Sequence, residues 1–125
     1  MLTKDNLIEM MQNENLTLVS THDRLCFPII ERIAKKMSIG LVFSSISVDG
    51  NLIVNGHHRY LASLLVGYKL DQAACPRTIA KEPIDWKSVK LVDEDWDTDA
   101  KIKMLTEEDA RYNDLTLEDL MKKLK

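Results

Sequence analysis

Residues 46–68, ISVDGNLIVNGHHRYLASLLVGY, decide how this chain is read. An apolar strand runs to Asp49-Gly50, a second short strand Leu52-Ile53-Val54 follows, and Asn55-Gly56-His57-His58-Arg59 opens a helix. Within that helix Tyr60, Leu61, Leu64, Leu65 and Tyr68 recur at the spacing of one apolar face. The Asp49-Gly50 pair predicts a tight type I′ hairpin turn, whose two central residues need positive φ. Two imidazoles and a guanidinium are thereby set at a helix N-terminus. Such an end carries unpaired N–H groups and partial positive charge, so with Arg59 as a bidentate donor it suits a phosphate or carboxylate. The expectation is anion binding, of a nucleotide first.

Upstream, Thr3 predicts a cap for a short helix with Leu7, Met10 and Met11 on its apolar stripe, ending at Asn13-Glu14-Asn15. Leu16 to Val19 reads as a first strand and the polar run Ser20 to Arg24 as a loop. Pro28 suits the first turn of a second helix that Gly40 stops. On this helix Ile29, Ile30, Ile33, Ala34 and Met37 are expected on the core side, and Glu31, Arg32, Lys35 and Lys36 on the wet side. Leu41-Val42-Phe43 is further strand material. Downstream, Ala73 to Ile79 reads as an extended piece that Pro76 confines to an edge or loop, and Ser88 to Val92 as a last strand. Two capped helices are predicted from Thr106 with Asp109 and from Thr116 with Asp119. The expected fold class is α+β: a mixed sheet of about four or five strands with helices packed on it.

With 125 residues and 45% hydrophobic content, one core and a single domain over residues 1–125 are expected, its centre at about 16–92 and an acidic helical extension at 93–125. Net charge is −3, placed unevenly. Residues 1–92 carry 11 Lys/Arg against 9 Asp/Glu, whereas residues 93–120 carry 3 against 11. No basic stripe of the kind that tracks DNA is evident, so nucleic acid is disfavoured. Cys26 and Cys75 lack CxxC spacing and the histidines lack H-x-x-x-H spacing, which argues against a metal site. No apolar run approaches the roughly 18 residues of a membrane span, and no secretory leader is recognisable. A reduced, cytoplasmic protein is expected.

The run Asp49-Gly50-Asn51-Leu52-Ile53-Val54-Asn55-Gly56-His57-His58-Arg59-Tyr60 resembles the strand, G-x-x-R box and helix of the ParB/sulfiredoxin superfamily. The helix from Pro28 to Gly40 fits the order of that family, and the resemblance covers about residues 16–80. It implies a ParB/sulfiredoxin-like fold in which Asn55, Gly56, His57, His58 and Arg59 lie against the phosphates of a nucleotide: ATP, ADP or CTP, with Mg²⁺. Sulfiredoxins place a catalytic cysteine where this chain has His57, so sulfinic-acid reduction is not implied. ParB proteins need a DNA-binding region that the acidic C-terminal third does not resemble. The nearest wording is the Asp-Gly-His-His-Arg box of the free serine kinases, with Asn55 in the place of that Asp. By this resemblance Asp23, after His22, would be the base toward a small hydroxylated acceptor, and His57 a catalytic partner. Asn55 accepts a hydrogen bond but does not hold Mg²⁺ as a carboxylate does.

Each residue has a plainer reading beside the functional one: His57 or His58 as a cap or packing group, Arg59 as a surface ion pair, Asp23 as a helix cap. The alternative for the whole chain is a non-enzymatic, immunity-like module whose acidic C-terminal surface holds a basic protein partner. A ParB-like DNA nuclease ranks below both. Trp86 and Trp96, either side of the last strand, are read as core lids or exposed anchors.

Overall fold

The computed structural model describes residues 3–13, 16–76 and 82–125. In chain order it contains α1 (Lys4–Gln12), β1 (Arg24–Cys26), α2 (Phe27–Ser38), β2 (Ile46–Asp49), β3 (Leu52–Asn55), α3 (His57–Val66), β4 (Gln72–Ala74), β5 (Lys90–Val92), α4 (Asp99–Tyr112) and α5 (Leu117–Leu124), with a 3-10 turn at Trp86–Ser88. The fold class is α+β, as the periodicities imply. The single sheet of four or five strands is corrected: among the described residues the strands form two small sheets, a β3-β2-β4 sheet and a parallel β1-β5 pair. No helix among the described residues is long and apolar enough to cross a membrane.

Local chemistry explains each element. Thr3 and Asn6 form a capping box at the start of α1. Pro28 lies in the first turn of α2, where no intrahelical donor is lost. The β2-β3 loop is Gly50-Asn51 rather than Asp49-Gly50, since Asp49 pairs with Leu52. Gly50 has φ +60 and no positive φ falls on Asn51, the pattern of a type II′ turn with glycine first. The ladder then slips: adjacent Ser47 and Val48 face Asn55 and Ile53, so β3 carries one extra residue. That bulge turns the chain into Gly56 and α3.

Several expectations at element level fail for identifiable reasons. Leu16 to Val19 is not a strand; Val19 makes only an isolated bridge to Leu52. Side chains serve this backbone instead: Leu18 N–H donates to the Tyr60 hydroxyl at 3.3 Å, and Trp86 Nε1 donates to Leu18 O at 2.8 Å. The run expected as a loop ends in β1, which pairs with β5 far along the chain. Leu41 to Phe43 is irregular, its backbone held by the Asn113 side chain at Val42 and the Tyr68 hydroxyl at Phe43. Thr106 caps nothing. It lies inside α4 with its hydroxyl on Ile102 O at 2.8 Å, and Thr98 is the cap that starts the helix. Thr116 caps α5 as expected. Of the extended piece expected at Ala73 to Ile79, Ala73 and Ala74 fall in β4, and residues 77–79 lie outside the described residues, as do 14–15, expected as the stop of the first helix.

The main core joins α1, α2, α3 and both sheets through Leu7, Leu25, Ile30, Ile46, Ile53, Leu61 and Trp86. A smaller cluster of Leu41, Ala110 and Leu120 fastens α4 and α5 to the segment after α2. The C-terminal helices therefore lie beside α2, where they wall in the front of α3.

Candidate functional site

A cleft of about 690 Å³ opens at the N-terminus of α3. The bulge and Gly56 create it. Gly56 has φ +107, and a Cβ there would come within 2.3 Å of Ile46 Cγ2, so strand β2 and the helix start meet only through glycine. Gly56 has no side chain with which to cap α3. Asn55, Gly56, His57, His58 and Arg59 all line the cleft, as the sequence reading expects of the box.

Their roles divide sharply. Arg59 Nη1 donates to Ser44 O at 3.0 Å, Ser44 Oγ at 2.8 Å and Ser45 O at 3.1 Å. Nη2 lies 3.1 Å from where a Gly56 Cβ would stand, over the helix start. Among the described residues it makes no hydrogen bond, and desolvation lowers the guanidinium pKa without discharging it. Arg59 thus has one edge anchored and one edge presented.

Both histidines are held by the segment around β1. His57 is 3% exposed and its Nε2 accepts the Thr21 N–H at 3.0 Å, while its ring stacks on His22 at 4.1 Å. His58 Nε2 accepts the Cys26 N–H at 2.9 Å, and its ring stands perpendicular to that of Trp96, centroids 5.6 Å apart. Burial pushes the His58 pKa down to about 4; the neighbouring His22 adds to this and Asp97 opposes it. Both imidazoles thereby tie α3 to the 21–26 segment, and His58, with its lowered pKa, does so as a neutral ring.

The expected base also falls elsewhere. Asp23 is exposed and does not line the cleft; its backbone carbonyl accepts Lys90 N–H beside β1. The carboxylates that do line it are Asp97 and Asp109, and both hold cations. Asp97 has a side chain only 4% exposed, with Arg32 Nη2 at 3.2 Å and Lys101 Nζ at 3.3 Å. Arg32 makes a second, bidentate pair with Asp95 at 2.6 and 3.0 Å, which raises the Arg32 pKa and lowers that of Asp95. Lys36, expected on the wet side, has a side chain 7% exposed and pairs with Asp109 at 2.8 Å.

The cleft therefore holds four basic side chains, Arg32, Lys36, Arg59 and Lys101, of which the box predicts one. A signal for two others lay in the sequence. Arg32 and Lys36 are four residues apart, next to Ile29 and Ile33, and all four line one wall. Asp97 gave no such signal toward Arg32, 65 residues distant, although its other partner, Lys101, is only four residues on. The acidic run is likewise not a bare surface: Asp93 pairs with Lys4, Asp95 with Arg32, and Asp97 with Arg32 and Lys101. Of the tryptophans, Trp86 is core and Trp96 lies exposed at the cleft. Compared with known proteins, the chain matches no family model, no curated protein and no solved structure.

Proposed function

We propose that the cleft binds the phosphate groups of a nucleotide, in a fold of ParB/sulfiredoxin-like form. The observation that carries this reading is the half-anchored Arg59, whose Nη2 makes no hydrogen bond among the described residues and lies beside Gly56 at the start of α3. A guanidinium edge beside a helix N-terminus suits a phosphate oxygen pair. The volume lies within the roughly 300–1,000 Å³ of small-ligand pockets. Trp96, 49% exposed at the rim, offers a face on which a base can stack.

Among the described residues no group of three or more His, Cys, Asp or Glu side chains is placed to hold a metal ion. Mg²⁺ is accordingly proposed as the counter-ion of the nucleotide's own phosphates. Transfer of phosphate to a hydroxylated acceptor is not part of this proposal, because Asp23 stands outside the cleft and its two carboxylates are committed to cations.

The test is a thermal-shift panel of ATP, ADP and CTP with Mg²⁺. A ligand that binds only the native state raises the melting temperature by mass action. At least one of the three is expected to do so at millimolar concentration, and Arg59→Lys, which keeps a donor to Ser44 but loses the second edge, is expected to remove the shift. Absence of any shift in the unaltered chain would overturn the reading.

A further inference from the structure

A second cavity of about 560 Å³ lies between α2, α4 and α5, away from Gly56. Its floor is apolar, made by Ile102 of α4 and Leu117, Met121 and Leu124 of α5. Its rim is basic. Lys35 and Lys103 stand there, and among the described residues neither is in an ion pair; Lys125 and Asp99 also line it. Arg32 and Lys36 reach the shared wall but are already neutralised by Asp95, Asp97 and Asp109.

We propose that this groove is a binding site for a single-chain anionic amphiphile, of the class of medium- and long-chain carboxylates. The alkyl chain lies along Leu117, Met121 and Leu124, and the carboxylate meets Lys35 and Lys103. An apolar trough with an excess of unpaired ammonium groups is complementary in both parts to such a molecule, which removes apolar surface from water while its head stays among cations. A protein partner fits less well. Of the large exposed apolar side chains Ile8, Val42, Trp96, Met104, Tyr112 and Met121, only Met121 belongs to the groove. The other five lie outside its lining, and a standard interface needs roughly 800 Å² on each side. The groove contains no residue of the Gly56–Arg59 corner, and it shares Arg32, Lys36 and Ile102 with the cleft.

The experiment is calorimetric titration of the full chain with octanoate, decanoate and dodecanoate below their micelle-forming concentrations, with decylamine as the cationic counterpart. Affinity is expected to rise about fourfold per added methylene until the trough is filled. Decylamine is expected to bind at least about tenfold more weakly than decanoate, like charges at the rim being costly. The variant M121E should lose the alkyl contact, and the exposed pair K35E/K103E should reverse the preference between decanoate and decylamine. Arg59→Lys should leave decanoate binding unchanged. Should M121E fail to fold, the reversal by K35E/K103E is decisive by itself. No binding of dodecanoate, affinity independent of chain length, or equal binding of decanoate and decylamine would each overturn the proposal; so would capture of an acidic peptide by a groove that ignores all three carboxylates.

Discussion

At the scale of single residues, Gly56 is the point where the corner is made or lost. Replacing it by Ala adds a Cβ at 2.3 Å from Ile46 Cγ2 and holds a non-glycine residue at φ +107. Overpacking and backbone strain each cost about 1–3 kcal/mol, so Gly56→Ala is expected to lower stability by roughly 2–6 kcal/mol, read as a shift in the urea midpoint. His58 governs a pH dependence. Its pKa is about 4 in the fold and the ordinary 6.5 in the unfolded chain, so between these values the unfolded chain binds more protons. The contribution of the neutral ring is therefore complete above pH 6.5 and is lost as pH falls toward 4. His58→Gln, which keeps an acceptor for the Cys26 N–H but does not titrate, should flatten the fall in melting temperature between pH 6.5 and 4. An unchanged slope would assign the pH dependence to other groups.

Among the elements, what was legible in the sequence is what local chemistry decides. The hairpin, helix α2 with Pro28 and Gly40, and the helix opened by Gly56 all follow from contacts within a few residues, as does the membership of the Asn55 to Arg59 box in one cleft. What was not legible depends on remote partners. Leu16 to Val19 has strand composition, yet Tyr60 and Trp86 take the backbone of Leu18 and only Val19 bridges to the hairpin, whereas Arg24–Cys26 becomes a strand because β5 lies beside it. Lys36 looks like a wet-face residue until α4 brings Asp109 over it. The acidic segment before α4 illustrates the consequence for function. Asp97 neutralises Arg32 and Lys101 in the cleft that is proposed to take phosphate, so the carboxylate and a ligand phosphate compete for the same cations. Asp97→Asn is expected to lower the melting temperature of the ligand-free protein, by the loss of a charge-assisted contact of about 1–3 kcal/mol. The same change is expected to enlarge the nucleotide-induced shift. A fall in both quantities would mean that Asp97 positions the cations rather than competes for them.

For the whole molecule, the arrangement of two unequal cores sets how stability is distributed. The larger joins α1 to α3 with the sheets; the smaller holds α4 and α5 through Leu41, Ala110 and Leu120, assisted by Asn113 on the backbone of Val42 and by the pairs from Arg32 and Lys36. A small core with mostly partly buried neighbours opens at lower free energy than a large one, and ion pairs at its edge weaken as salt screens them. Leu61 and Leu120 are both fully buried, one in each cluster, so truncating each to Ala removes the same atoms from different places. Each should cost about 2–5 kcal/mol at the site it supports. Leu61→Ala is expected to lower global stability and to raise amide exchange throughout. Leu120→Ala is expected to raise exchange in α5 and the last turns of α4 first, while amides of α2 and α3 keep most of their protection. Equal loss of protection everywhere in Leu120→Ala would show that the C-terminal helices and the main core unfold as one unit, and that the wall of the cleft is as rigid as its floor.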